Sequence, residues 1–117
     1  MRANLRRLHS PDVDDLRTWI PGDEDFAVFV QMMVGPSGSA GEESFDLTVC
    51  TGGWLTARAE AEGVVDARHH LIVGEYSYDD IESYLARRVN ACEAATWPAV
   101  AALVGRVGRW EFEDYLE

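Results

Sequence analysis

The sequence predicts an α+β fold: a largely antiparallel sheet of four to five strands with helices packed on one face. Three observations predict it. Residues 26–51 hold two strand-like runs on either side of a Gly/Pro/Ser-rich break. The strongest helical periods come late, between Ser77 and Val107, and do not alternate with the strands. A chain of 117 residues, 47% of them hydrophobic, suits one domain over 1–117 with a real core.

Residues 2–9 alternate loosely, with Ala3 and Leu5 on one side, and predict a strand that Ser10-Pro11-Asp12 ends. Residues 13–20 have two readings. One is a short helix with Ser10 as N-cap, Pro11 in its first turn and Val13, Leu16 and Ile20 along one stripe. The other is a loop packed through Leu16 and Trp19. Residues 26–34 are apolar at nearly every position, as in a central strand buried on both faces. Gly35 to Gly41 reads as a flexible hairpin loop. Residues 44–51 then alternate: Phe45, Leu47 and Val49 face a core, and Ser44, Asp46, Thr48 and Cys50 face water.

Residues 54–62 are good helix formers stopped by Gly63. A fourth strand centres on 69–73. Ser77, with Asp80 three residues on, caps the clearest helix, whose apolar face is Ile81, Tyr84, Leu85, Val89 and Cys92. Thr96 and Pro98 open another, with Val100, Leu103, Val104 and Val107 inward and Gly105 or Gly108 at its end. Residues 109–115 have a period of two that sets Trp110 and Phe112 against Glu111 and Glu113. That suits a short edge strand, although Phe112, Tyr115 and Leu116 equally share a helix face.

The net charge is −11, and all ten basic residues are arginine. Such a chain repels nucleic-acid phosphate and anionic lipid and attracts a basic partner. The acids are clustered. Asp12, Asp14, Asp15, Asp23, Glu24 and Asp25 stand against Arg17 alone, Glu42, Glu43 and Asp46 form a second group, and Glu111, Glu113, Asp114 and Glu117 a third. No run is long enough to cross a bilayer, and no apolar stretch of signal-peptide length follows the basic start, so a cytoplasmic protein is expected.

Familiar site chemistries fail on spacing. His69 and His70 are adjacent on a strand and point to opposite faces, so they do not share a metal. Cys50 and Cys92 make no disulfide framework and sit in no nucleophile motif. Asp12-Val13-Asp14-Asp15 lacks the glycine and closing glutamate of a calcium loop, and the Gly35 to Gly41 segment lacks the Lys-Ser/Thr step of a phosphate loop. No catalytic residue, cofactor or metal is expected.

Several stretches, in order along nearly the whole chain, carry a resemblance. They are Leu8-His9-Ser10-Pro11-Asp12-Val13-Asp14-Asp15-Leu16, Glu43 to Thr51 followed by Trp54-Leu55, His69 to Val73, Cys92-Glu93 with Thr96-Trp97, and the tryptophan-bearing ending Gly108 to Tyr115. Together they resemble the immunity protein 8 family of bacterial polymorphic toxin systems. The resemblance implies a small, non-catalytic α+β protein that binds and neutralises the C-terminal toxin domain encoded beside it.

The contact residues come instead from charge and expected exposure. Asp14, Asp15, Asp23, Glu24 and Asp25 lie in Pro/Gly-bounded segments where carboxylates are free to reach a partner. Glu111, Glu113 and Asp114, beside Trp110 and Tyr115, are the second choice. The function expected is inhibition of a basic, nuclease-like toxin site. The alternatives are an acidic adaptor with a non-toxin partner, and a small enzyme or ligand-binding domain using His70, Cys50 or a carboxylate pair.

Overall fold

The computed structural model describes residues 1–113. The strands are β1 (Ala3–His9), β2 (Ala27–Pro36), β3 (Glu43–Thr51), β4 (His70–Val73) and β5 (Arg109–Trp110); the helices are α1 (Gly52–Glu62), α2 (Tyr78–Asn90) and α3 (Trp97–Val104). The sheet runs β1-β2-β3-β4, and β5 joins β3. The β1/β2, β2/β3 and β3/β5 pairs are antiparallel and β3/β4 is parallel. This is the α+β, mostly antiparallel architecture expected. The parallel pair follows from α1, which fills the connection between β3 and β4; a tight hairpin there would have made the pair antiparallel.

One face of the sheet makes the core. Val28, Val30, Met32 and Val34 of β2 and Phe45, Leu47 and Val49 of β3 share a buried cluster with Ile81, Leu85 and Val89 of α2 and Val100, Ala101 and Val104 of α3. Both helices are well specified. Ser77 accepts from the Asp80 N–H and Thr96 from the Ala99 N–H, acids occupy the first turn of α2, and Arg87 and Arg88 its last.

The expectation that β2 is buried on both faces is corrected. Ala27, Phe29, Gln31 and Met33 are only half-buried, so β2 alternates despite its apolar sequence. The cause is that among the described residues no second helical layer covers the outer face: α1 carries no buried residue. Cys50 departs from expectation in the opposite sense. It lies on the outer face by alternation yet is 0% exposed, at the junction of β3 with α1.

Residues 13–20 form no helix. They are a loop held by buried Leu16 and half-buried Trp19, the second of the two readings. β4 begins one residue later than expected because His69 has φ 62°. The ending after Gly108 pairs with β3 for only two residues before turning at 111–113, and Tyr115 and Leu116 lie outside the described residues. The hairpin loop after β2 is tied rather than free: Arg6 Nη2 donates to the Pro36 and Ser39 carbonyls at 2.8 and 2.6 Å. Gly35 is required there, since a Cβ on it would lie 2.1 Å from the Gly41 carbonyl oxygen.

One outer-face group has a pH consequence. Asp46 Oδ1 is buried without a hydrogen-bond partner. Burial pushes the Asp46 carboxyl above the usual range, opposed by a Gln31 hydrogen bond and the Arg109 charge. A raised native pKa means the folded state holds the proton more tightly than the unfolded chain. Stability from this group is therefore full below about pH 4 and falls as pH rises through the native value. Asp46→Asn removes that dependence. Urea midpoints of the two proteins, taken from about pH 3.5 to 7, should shift in favour of the variant as pH rises; a constant difference would contradict the assignment.

Candidate protein-binding face

The segment between β1 and β2 is anchored by three aromatic rings. Trp19 meets Phe26 and Tyr76 edge-on, at centroid separations of 5.7 and 4.8 Å, and Phe26 meets Tyr76 at 6.0 Å. The Tyr76 hydroxyl donates to the Leu16 carbonyl at 2.5 Å. Burial first, then the Tyr78 and Asp15 charges, push the Tyr76 hydroxyl above its ordinary range, so it stays a donor at neutral pH. Asp15 forms a local turn, accepting from the Arg17 N–H through its side chain and from the Thr18 and Trp19 N–H groups through its carbonyl. Arg17 lies over the Tyr78 ring at 4.6 Å.

Around this knot the carboxylates are exposed. Asp12, Asp14 and Asp15 border a hollow of about 340 Å3 with Trp19. Asp23 and Glu24 border one of about 400 Å3 with Phe26, Glu75 and Tyr76. Ile20, between the two groups in the chain, is 83% exposed. Four acids are in ion pairs with arginine: Glu42, Glu62, Glu93 and Glu113. Among the described residues, Asp12, Asp14, Asp15, Asp23, Glu24 and Glu75 are in none. The arrangement is a packed aromatic base bordered by six exposed carboxylates, with Arg17 the one basic residue of the 12–25 segment.

The two predicted clusters lie at opposite ends of β3. Asp14, Asp15, Asp23 and Glu24 gather at its C-terminal end. Asp25 is there too, but its carboxylate accepts from the Thr51 hydroxyl at 2.9 Å and abuts Gly53 in the first turn of α1. Glu111 and Glu113 lie at the other end, both engaged. Glu111 accepts from the Ser44 N–H at 3.2 Å, and Glu113 pairs with Arg68 at 2.9 Å. Asp114 lies outside the described residues. From Ser44 to Thr51 is roughly 24 Å along a strand, so the clusters do not form one patch.

Sequence reasoning did not single out Glu75, which joins Asp23 and Glu24 at their hollow. The signal was an acid beside an aromatic, Glu75-Tyr76, directly after a strand.

His69 and His70 are engaged with backbone carbonyls, and neither cysteine is activated. His69 Nε2 donates to the Gly105 carbonyl at 2.7 Å, and His70 Nδ1 lies 3.0 Å from the Arg68 carbonyl. Burial pushes both the Cys50 and Cys92 thiols up, away from a reactive thiolate. Among the described residues no three His, Cys, Asp or Glu side chains converge to hold a metal.

The family model described as Immunity protein 8 matches residues 3–115. The chain belongs to the immunity protein 8 family. No curated protein and no solved structure matches it. Membership in an immunity protein family implies a protein toxin as partner and, in general, a role carried by binding rather than catalysis. In this immunity protein 8 member the exposed Asp12, Asp14, Asp15, Asp23 and Glu24 stand in no ion pair among the described residues.

Proposed function

We propose that this protein acts in the cytoplasm by binding the C-terminal domain of a cognate polymorphic toxin through the acidic face around Trp19, Phe26 and Tyr76. The face covers a basic, nuclease-like site and blocks substrate entry, with no cofactor and no contact to nucleic acid or membrane. The observation that carries this reading is the set of exposed, unpaired carboxylates held on an aromatic base. Charge without a counter-charge is attracted to a basic surface, and a pinned loop loses little freedom on docking. Co-expression with the toxin domain encoded beside it, scored for rescue of growth and co-purification, is the direct test. Absence of both would overturn the proposal.

Replacing Asp14, Asp15, Asp23 and Glu24 together by Asn or Gln is expected to weaken toxin binding by about 1–3 kcal/mol. Asp25 is left unchanged because it holds Thr51. Exposed charges contribute little to stability, so unfolding should stay cooperative. The wild-type association rate should fall as salt rises, since the opposing charges are screened over about 8–10 Å. An association rate insensitive to salt, or full affinity in the four-site variant, would place the contact elsewhere.

A further inference from the structure

β4 closes one end of the sheet. It pairs with β3 on one side, and among the described residues Leu71, Ile72 and Val73 make no backbone hydrogen bond outside that pair. Between this free edge and α2 lies a groove of about 640 Å3. Leu71 and Val73 pack against the core, Ile81 and Tyr84 of α2 form the opposite wall, and Ile72 is 55% exposed. An open strand edge beside apolar walls is suited to an added strand, with main-chain bonds giving affinity and the groove taking alternate side chains.

The charge along the groove selects the occupant. Glu75 and Asp80 line one end, both exposed and, among the described residues, in no ion pair. Gly74 and Glu75 also border the hollow that holds Asp23 and Glu24, so this end opens onto the acidic face. At the Tyr84 end the sign reverses: Arg87 and Arg88 stand over the Tyr84 ring at 5.5 and 6.0 Å. A cation is favoured near Glu75 and disfavoured near Tyr84.

We propose that this groove binds an extended segment of the toxin that pairs with the β4 edge, places apolar side chains between β4 and α2, and carries Arg or Lys at the Glu75 end. The inference rests on the immunity reading above and extends its contact surface from the acidic face into the adjoining groove.

The test uses the full chain and a synthetic probe: an extended hexapeptide of two arginines followed by alternating threonine and isoleucine, with a counterpart carrying two glutamates. Amide chemical shifts should move at residues 71–75 and 81–84 with the arginine peptide and not with the glutamate one. Glu75→Lys should raise the dissociation constant for the arginine peptide by about tenfold. Asp80→Lys, added to it, should abolish the shifts; Glu75→Lys alone leaves the α2 N-terminus intact and controls for folding. Shifts confined to other residues, or equal binding of both peptides, would overturn the proposal. Toxin binding is measured separately. A Glu75→Lys protein that protects as well as wild type and keeps full toxin affinity overturns the groove and leaves the immunity reading standing. A wild-type protein that takes the arginine peptide in the groove but neither binds the toxin nor protects against it removes the toxin as occupant and the immunity reading with it.

Discussion

Replacing Glu43 by alanine is expected to lower the unfolding free energy by about 2–4 kcal/mol. Glu43 opens β3, and its Oε2 accepts two indole hydrogen bonds, from Trp97 Nε1 at 3.0 Å and from Trp110 Nε1 at 2.6 Å. Trp97 begins α3 and Trp110 lies in β5, so one carboxylate fastens three elements far apart in sequence. Hydrogen bonds to a charged acceptor contribute about 1.5–3 kcal/mol each, and the partial exposure of these groups places the pair towards the low end of the sum. Glu43→Gln keeps an acceptor oxygen but not its charge, and should cost about 1 kcal/mol. Urea unfolding followed by tryptophan fluorescence and by far-ultraviolet circular dichroism checks both. A loss below about 0.5 kcal/mol in the alanine variant would mean that the indoles find water instead, and that Glu43 is an ordinary surface acid.

The scaffold was legible where a local rule and the tertiary structure agree. Ser77 and Thr96 announce α2 and α3 because a cap is a contact within a few residues, and Ile81, Leu85 and Val89 then occupy the core by spacing alone. β2 departs from its sequence pattern for the opposite reason. Phe29 and Met33 are apolar, but whether they are covered depends on a second helical layer, and no residue of β2 encodes where α1 goes. The parallel pairing of β4 was likewise invisible, because strand direction is set by the crossover and not by His70 to Val73.

The candidate face was half legible. Asp14, Asp15, Asp23 and Glu24 stand out by composition. The gathering of Glu75 beside them, and the binding of Glu111 and Glu113 to Ser44 and Arg68, depend on which strand ends meet. By sequence Glu43 is only one member of an acidic cluster. Its two indole partners lie 54 and 67 residues away, beyond the reach of any local pattern.

Phe45→Ala should be the most damaging single change, at about 3–5 kcal/mol. Phe45 is 0% exposed and heads the largest fully buried side chains. It pairs across the sheet with Met32, also 0% exposed, and stacks on Trp110 at 6.3 Å with the rings 10° from parallel. The returning chain crosses close by: a Cβ on Gly108 would sit 3.2 Å from the Phe45 Cβ and 2.7 Å from the Met32 terminal methyl. With neighbours packed this tightly, truncation leaves a cavity that Gly108 has no side chain to fill. Set against a total stability of about 5–15 kcal/mol, the variant should be marginally folded at room temperature, and Phe45→Leu should lose about 1–1.5 kcal/mol. Chemical denaturation at low temperature measures both. Phe45 is six residues from Thr51, roughly 20 Å along β3 from the acidic face. The folded fraction of Phe45→Ala should therefore release the toxin at the wild-type rate, whereas the four-site acid variant should unfold like wild type and bind poorly. Faster release from folded Phe45→Ala would carry the contact surface along β3 to the Trp110 end, and would return Glu111 and Glu113 to the interface.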